Sequence, residues 1–287
     1  MQHTPISTPA FDGVIQATLG YLPANAPLPV QYTFPPPNGE PWENAGYDRR
    51  LMAVRDARTL ARPPALARHG FALLDVPSDV RDFQDDNVIR HRYYPEVASL
   101  ACQLTGGRRA LVFDHLVRRR APQRRAPLDF GRGRQAGAAP VNGRIHNDYT
   151  EASGRRRLAL VLGDEAGREA VHHFCILNFW RPLMEPVLDA PLALCDARTV
   201  STLDMVAGEV RYPHRTGDIY LMRHSPWHRW YFYSAMRRNE VLVFKQYDTR
   251  VNGTSRFTPH CAFELPQVPV SALPRESIEL RCLVILE

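Results

Sequence analysis

From residue 142 onward the apolar positions fall into short runs rich in aromatic and β-branched residues, separated by Gly, Pro and Asp. The runs predict strands at 143–148, 173–180, 192–195, 217–223, 230–233, 241–247 and 278–285. Serial short strands of this kind point to a sandwich or barrel. The first half reads differently. Residues 70–74 and 109–113 predict strands, and 60–69 a short helix interrupted by Pro63-Pro64. Over 82–105, Val88, Ile89, Tyr93, Val97, Leu100, Ala101 and Leu104 recur at helical spacing, with Pro95 expected to kink the helix and Gly106-Gly107 to end it. Residues 1–45 carry too much Pro and Gly for a domain and predict an extended arm, with a short strand at 31–34. The expected organisation is one domain over 1–287: the arm 1–45, a helical and mixed flank 46–135, and a β core 136–287. The fold class is α+β, mainly β.

Composition narrows the function. The 287 residues are 44% hydrophobic and 23% charged, ordinary for a globular chain. No apolar stretch is long enough to predict a transmembrane helix, and the polar N-terminus does not resemble a signal peptide, so the expected location is the cytoplasm and no membrane partner is expected. Five scattered cysteines, none in a C-x-x-C pair, read as reduced thiols. The net charge of +6 comes with arginines crowded into residues 118–134, mixed with Pro, Gly, Ala and Gln. That stretch reads as a solvated loop. No nucleic-acid-binding motif accompanies it, so no nucleic-acid partner is expected. Neither a G-x-G-x-x-G turn nor a Walker loop is present. Among 36 Lys and Arg residues, Lys245 is the sole lysine.

The sharpest local signal is Arg144-Ile145-His146-Asn147-Asp148-Tyr149. Residues i and i+2 of a strand share a face, so His146 and Asp148 can reach one ion. Imidazole plus carboxylate suits iron(II), and two histidines with one carboxylate leave coordination positions open. For the second histidine, Gly217-Asp218 reads as a turn before the apolar strand Ile219-Tyr220-Leu221-Met222. His228 then follows where a double-stranded β-helix carries its distal ligand. His146, Asp148 and His228 are therefore the expected catalytic and metal residues. His260 is the rival, in Thr258-Pro259-His260, followed by Arg275-Glu276-Ser277, an arginine-x-serine suited to gripping a keto acid. His224 ranks third, His115 is placed near the site, and His172 and His173 read as structural.

An iron oxygenase of this type draws two electrons from 2-oxoglutarate, whose far carboxylate needs a cation. A lone charge in an apolar strand is costly unless paired, which singles out Lys245 in Val241-Leu242-Val243-Phe244-Lys245. Arg181, in Asn178-Phe179-Trp180-Arg181-Pro182-Leu183, is the second candidate for a bidentate grip.

Several blocks together resemble one family: His146-Asn147-Asp148-Tyr149-Thr150, Asn178-Phe179-Trp180-Arg181-Pro182-Leu183, Pro191-Leu192-Ala193-Leu194-Cys195-Asp196, His228-Arg229-Trp230-Tyr231-Phe232 and Phe244-Lys245-Gln246-Tyr247-Asp248. It is the family of CmcJ and NvfI-type oxidoreductases, which includes the hydroxylating component of cephamycin methoxylation and fungal hydroxylase/desaturase and gibberellin-desaturase-like proteins. The likeness extends from near Tyr32 through Pro274-Arg275-Glu276-Ser277-Ile278-Glu279. It implies a double-stranded β-helix (jelly-roll, cupin-like) core with flanking helices. It implies a non-haem oxidoreductase that uses iron(II), 2-oxoglutarate and molecular oxygen on a small-molecule specialised metabolite, by hydroxylation or desaturation. Two alternatives stand beside it: an iron oxygenase that does not use 2-oxoglutarate, and a non-catalytic β-helix partner of another biosynthetic enzyme such as a methyltransferase.

Overall fold

We describe residues 13–120, 141–164 and 171–286 of a computed structural model. The strands are β1 (Val14–Tyr21), β2 (Val30–Tyr32), β3 (Asp48–Asp56), β4 (Phe71–Asp75), β5 (Arg109–Arg119), β6 (His146–Asn147), β7 (Phe174–Pro182), β8 (Leu192–Cys195), β9 (Met205–Tyr212), β10 (Arg215–Met222), β11 (Trp230–Phe232), β12 (Glu240–Asp248), β13 (His260–Ala262) and β14 (Glu276–Ile285). The helices are α1 (Leu66–His69), α2 (Asp86–Val88), α3 (Tyr94–Thr105) and α4 (Glu151–Leu162). A nine-stranded sheet runs β1-β3-β11-β8-β13-β6-β10-β9-β2, and a five-stranded sheet runs β4-β12-β7-β14-β5. Neighbours are antiparallel except β3–β11 and β2–β9.

Side-chain alternation explains how the layers stack. In the minor sheet, Cys175, Leu177 and Phe179 of β7, Val241 and Val243 of β12, and Ile278 and Leu280 of β14 pack against Val97 and Ala101 of α3. The opposite face of the same strands carries Trp180, Leu242 and Phe244, which meet Leu192 and Leu194 of β8. All nine residues of β7 are buried, because this strand is covered on both faces. Strand β8 alternates in turn. Ala193 and Cys195 point the other way, into a second core against Ile15, Ala17, Leu19 and Tyr21 of β1.

Several expectations change. Residues 14–21, within the expected extended arm, are a full strand whose alternate side chains are buried, so this part of the chain belongs to the major sheet. Gly217 and Asp218 lie inside β10, opposite Val210 and Glu209, and the chain reverses between Tyr212 and Arg215. Pro95 lies inside a backbone that stays helical from Asp86 to Thr105, directly after a π-helical turn over Ile89–Tyr93, and that irregularity divides the run into α2 and α3. Strand β5 continues to Arg119, so Arg118 and Arg119 belong to a sheet, while residues 121–134 of the arginine-rich stretch lie outside the described residues. Strands β9 and β13 and helix α4 were not anticipated. The cysteines are free, as expected.

Gly70 joins α1 to β4 with φ +91°, a conformation that favours glycine. Its carbonyl accepts from Lys245 N at 2.8 Å and from Thr258 Oγ1 at 3.0 Å. A Cβ there would lie 2.2 Å from Thr258 Oγ1. Gly70→Ala is expected to lower unfolding stability by about 2 kcal/mol or more, combining backbone strain with displacement of the Thr258 segment. Urea denaturation checks this, and an unchanged midpoint would contradict it.

Candidate metal centre

His146 on β6 stands directly opposite His260 on β13, the one register pair those two strands make. Opposed residues of an antiparallel pair share a face, and the two imidazoles lie with centroids 4.4 Å apart. Each ring is oriented by the backbone two residues earlier. His146 Nδ1 donates to Arg144 O at 2.8 Å, and His260 Nδ1 to Thr258 O at 3.3 Å. Those donations place the proton on Nδ1 and leave both Nε2 lone pairs bare, the tautomer a metal ligand needs. Asp148 follows just past the end of β6, with Oδ1 3.4 Å from His146 Nε2. One ligand atom from each of His146, Asp148 and His260 lies within 4.8 Å of the others, the only such group among the described residues.

Electrostatics favours the metal-binding protonation states. Burial pushes His260 down to about 3, with neighbouring His146 adding to it, so its imidazole is neutral at ordinary pH. Burial alone would raise the Asp148 carboxyl, but the Arg281 guanidinium beside it holds it well below the usual carboxylate range. Phe244 covers His260 at 4.7 Å between centroids, which shields that side of the site from water.

The short strands are tied down by side-chain amides. Asn147 Nδ2 donates to Tyr149 O and Gln246 O, and its Oδ1 accepts from Thr258 N. Gln246 Oε1 accepts from Asp148 N at 2.7 Å, and its Nε2 donates to Thr258 O. From the minor sheet, Asn178 and Arg281 both reach Asp148 Oδ2. Sequence reasoning passed over these four residues. A polar residue inside an apolar strand, as Gln246 and Asn178 are, was the available signal.

A narrow cavity adjoins the histidines, lined by Arg118, Trp180, Arg275 and Glu279 among others. Three buried polar atoms in this region have no hydrogen-bond partner: Arg275 Nε, Ser277 Oγ and Trp180 Nε1. Arg275 is fully buried, 5.6 Å from the Trp180 ring, and donates from Nη1 to Ala190 O. Burial, with Arg118 nearby, pushes its guanidinium down to about 9, so an anion arriving there would be welcome. Orphaned donors beside a buried cation fit a carboxylate that completes them.

The comparisons agree with this geometry. The profile of the family described as oxidoreductase/YMDC permease-like domain matches residues 19–285. The hydroxylase/desaturase efuI of Hormonema carpetanum is 32% identical over 256 residues, covering 84% of this chain and 85% of that protein. The Fe(II)/2-oxoglutarate-dependent dioxygenase nvfI of Aspergillus novofumigatus is 30% identical over 262 residues, covering 89% of this chain and 90% of that protein. A solved structure of the iron and alpha-ketoglutarate-dependent endoperoxidase NvfI superposes with a TM-score of 0.82 at 27% identity, over 95% of this chain and 98% of that one. The chain belongs to the NvfI/CmcJ-type iron(II)/2-oxoglutarate-dependent oxidoreductases. Its fold is the α+β, mainly β double-stranded β-helix of that family. This family member is an enzyme of the dioxygenase type. None of its described helices is long and apolar enough to cross a membrane.

Within this oxidoreductase, three expected site residues lie elsewhere. The structure does not bring His228 to His146 and Asp148. Its Nε2 meets Asp204 Oδ2 at 3.1 Å and its Nδ1 meets the Tyr21 hydroxyl at 3.2 Å, so both ring nitrogens are engaged near the second core. The turn that had favoured it is absent, since Gly217-Asp218 is mid-strand. Arg181 follows Trp180 on β7 and so points the opposite way, to the α3 layer, where it donates to Tyr93 Oη, Arg238 O and Val76 O. Lys245 likewise points away from Phe244. Its Nζ donates to Asp248 Oδ2 at 2.6 Å, Thr254 Oγ1 at 3.0 Å and Ser255 O at 3.1 Å, which uses all three ammonium hydrogens. The other histidines also lie apart: His115 pairs with Tyr94 and Asp86, and His224 packs edge-on to Tyr21.

Lys245 is thus a structural cation for the buried Asp248. Arg250 and Lys245 hold that carboxyl below its usual range although burial raises it. Lys245→Met is expected to cost about 3 kcal/mol of stability near neutral pH by leaving Asp248 short of a partner. The deficit should shrink as the pH falls into the carboxylate range, because a protonated Asp248 no longer needs the ammonium. Denaturant titration at two pH values tests this, alongside 2-oxoglutarate affinity. Weakened co-substrate binding at unchanged stability would restore Lys245 to the site.

Proposed function

We propose that His146, Asp148 and His260 hold iron(II), and that Arg275 with Ser277 holds the far carboxylate of 2-oxoglutarate. The convergence of one ligand atom from each of the three residues, with both histidine Nε2 atoms bare, carries this reading. When bound, the iron supplies activation of molecular oxygen at the expense of 2-oxoglutarate. The chain's own residues do the rest. Backbone carbonyls fix the imidazole tautomers, Arg281 and Asn178 keep Asp148 ionised and aimed, and Phe244 and Trp180 form dry walls. Support for the co-substrate site is the buried, under-partnered Arg275 guanidinium and the unpartnered Ser277 hydroxyl.

The reaction we assign is hydroxylation or desaturation of a small organic molecule. A cleft of about 370 Å³ shares Ala262 with the narrow cavity at the histidines, and its size suits such a substrate. The family match over 19–285 supports treating 1–287 as one oxygenase domain.

Anaerobic titration with iron(II) tests the ligands. The parent protein and His228→Gln are expected to bind one equivalent, and His260→Ala to lose stoichiometric binding. A protein that loses iron with His228→Gln but keeps it with His260→Ala would refute the set. Arg275→Met should weaken 2-oxoglutarate binding by about 10- to 100-fold, the loss of a charge-assisted contact of about 1.5–3 kcal/mol, while sparing iron. Absence of succinate from the iron-loaded enzyme supplied with 2-oxoglutarate, oxygen and a reductant would reject 2-oxoglutarate as co-substrate.

A further inference from the structure

Three strands of the minor sheet line up side chains on Asp148. Asp114 on β5, Arg281 on β14 and Asn178 on β7 are direct register partners, Arg281 pairing with each of the other two. Direct partners share a face, so the three form a row across the sheet. Arg281 Nε donates to Asp148 Oδ2 at 3.0 Å, Nη1 to Asp114 Oδ2 at 2.9 Å and Nη2 to Glu279 Oε1 at 3.1 Å. Asn178 Nδ2 reaches the same Asp148 Oδ2 at 2.9 Å. The pairing of β14 with β5 shifts register immediately after Arg281. Such irregularities re-aim side chains next to active sites.

We propose that Arg281 is a positioning residue which, with Asn178, occupies Asp148 Oδ2 and leaves Oδ1 as the only ligand atom that carboxylate can offer. The inference rests on the iron-site reading above. Both hydrogen bonds fall on the oxygen away from His146, since it is Oδ1 that lies 3.4 Å from His146 Nε2. A carboxylate free to rotate could chelate a metal through both oxygens and fill a position that a bidentate 2-oxo acid and oxygen require. With Oδ2 held by two donors, two histidines and one oxygen leave three positions open. Asp114 and Glu279 hold the guanidinium plane, so the fork cannot swing away. The ion pair also offsets part of the cost of burying the carboxylate.

Arg281→Gln removes the fork, and Arg281→Lys retains charge without it. Asp114→Asn loosens the support from a side chain that is 53% exposed, so its effect on folding is small. Circular dichroism confirms folding of each variant. Anaerobic iron(II) titration, titration of the iron-loaded protein with 2-oxoglutarate, and near-infrared magnetic circular dichroism of the Fe(II) form then report affinity and coordination number. We expect Arg281→Gln to weaken iron or iron-dependent 2-oxoglutarate binding about 10- to 100-fold and to change the ligand-field bands. Arg281→Lys should fail to restore the parent spectrum, and Asp114→Asn should shift the same quantities in the same direction by a smaller factor. Parent-like constants and bands in a folded Arg281→Gln overturn the proposal, as does full rescue by Arg281→Lys, which would leave only a charge effect. If neither Arg281 variant folds, Asp114→Asn decides, and parent-like behaviour there overturns it. Failure of the parent protein to bind iron would instead refute the site itself, which keeps the two outcomes distinct.

Discussion

Two buried side-chain amides hold the metal end of this molecule together. Strand β6 is two residues long and β13 three, too few for ladder hydrogen bonds to secure either. Asn147 and Gln246 supply what the ladders lack. Asn147 bridges the β6 exit to β12 and to Thr258, and Gln246 bridges β12 to Asp148 N and Thr258 O. Both are fully buried, so each lost bond would leave a polar group without water to replace it. Because Thr258 also donates to Gly70 O, the cluster extends to the α1–β4 corner. The His146–His260 pairing is the outcome of these contacts more than of strand propensity.

The two sheets divide the chemistry between them. The major sheet and the residue just past β6 provide the bare ligand atoms of His146, His260 and Asp148. The facing minor sheet provides the charge and donors that hold one of those ligands, Arg281 and Asn178 on Asp148. Burying this many ionic groups is expensive, and replacing them with apolar residues would often cost little or even stabilise the fold. Their presence therefore speaks for function. The contrast with Lys245 and Arg181 is instructive. Those cations are also buried in the minor sheet, but on its helix-facing side, where each is consumed by partners that serve folding.

Strand periodicity made much of the β core legible. Strand β8 was expected at its observed position, and β7, β10, β11, β12 and β14 within a few residues, because runs of β-branched and aromatic residues bounded by turns leave little choice. Strand β13 escaped notice because three residues after a proline have no period to detect. The hairpin β9–β10 was misplaced because Gly-Asp is a turn signal only where the backbone has no partner, and here Gly217 faces Val210 in a ladder. Lys245 and Arg181 share one lesson: an unusual cation in an apolar strand signals a partner, but one-residue alternation decides which side of the sheet that partner is on.

The sequence alone pointed to iron chemistry through His146 and Asp148, whose spacing puts them on one face of an extended backbone, together with the family resemblance. It determined the family too, through blocks spread from the first strands to the last. Which histidine completes the set was a matter for the tertiary structure. His228 and His260 are both distant from His146 along the chain, and both lie in aromatic or apolar surroundings that sequence cannot tell apart. Only strand order separates them: β13 lies next to β6 and sets His260 against His146, while β8 and β13 stand between β6 and the strand that follows His228. A cross-strand contact depends on which edges pair. That is fixed by the summed packing of the whole sheet and by a few buried amides, which no local pattern records.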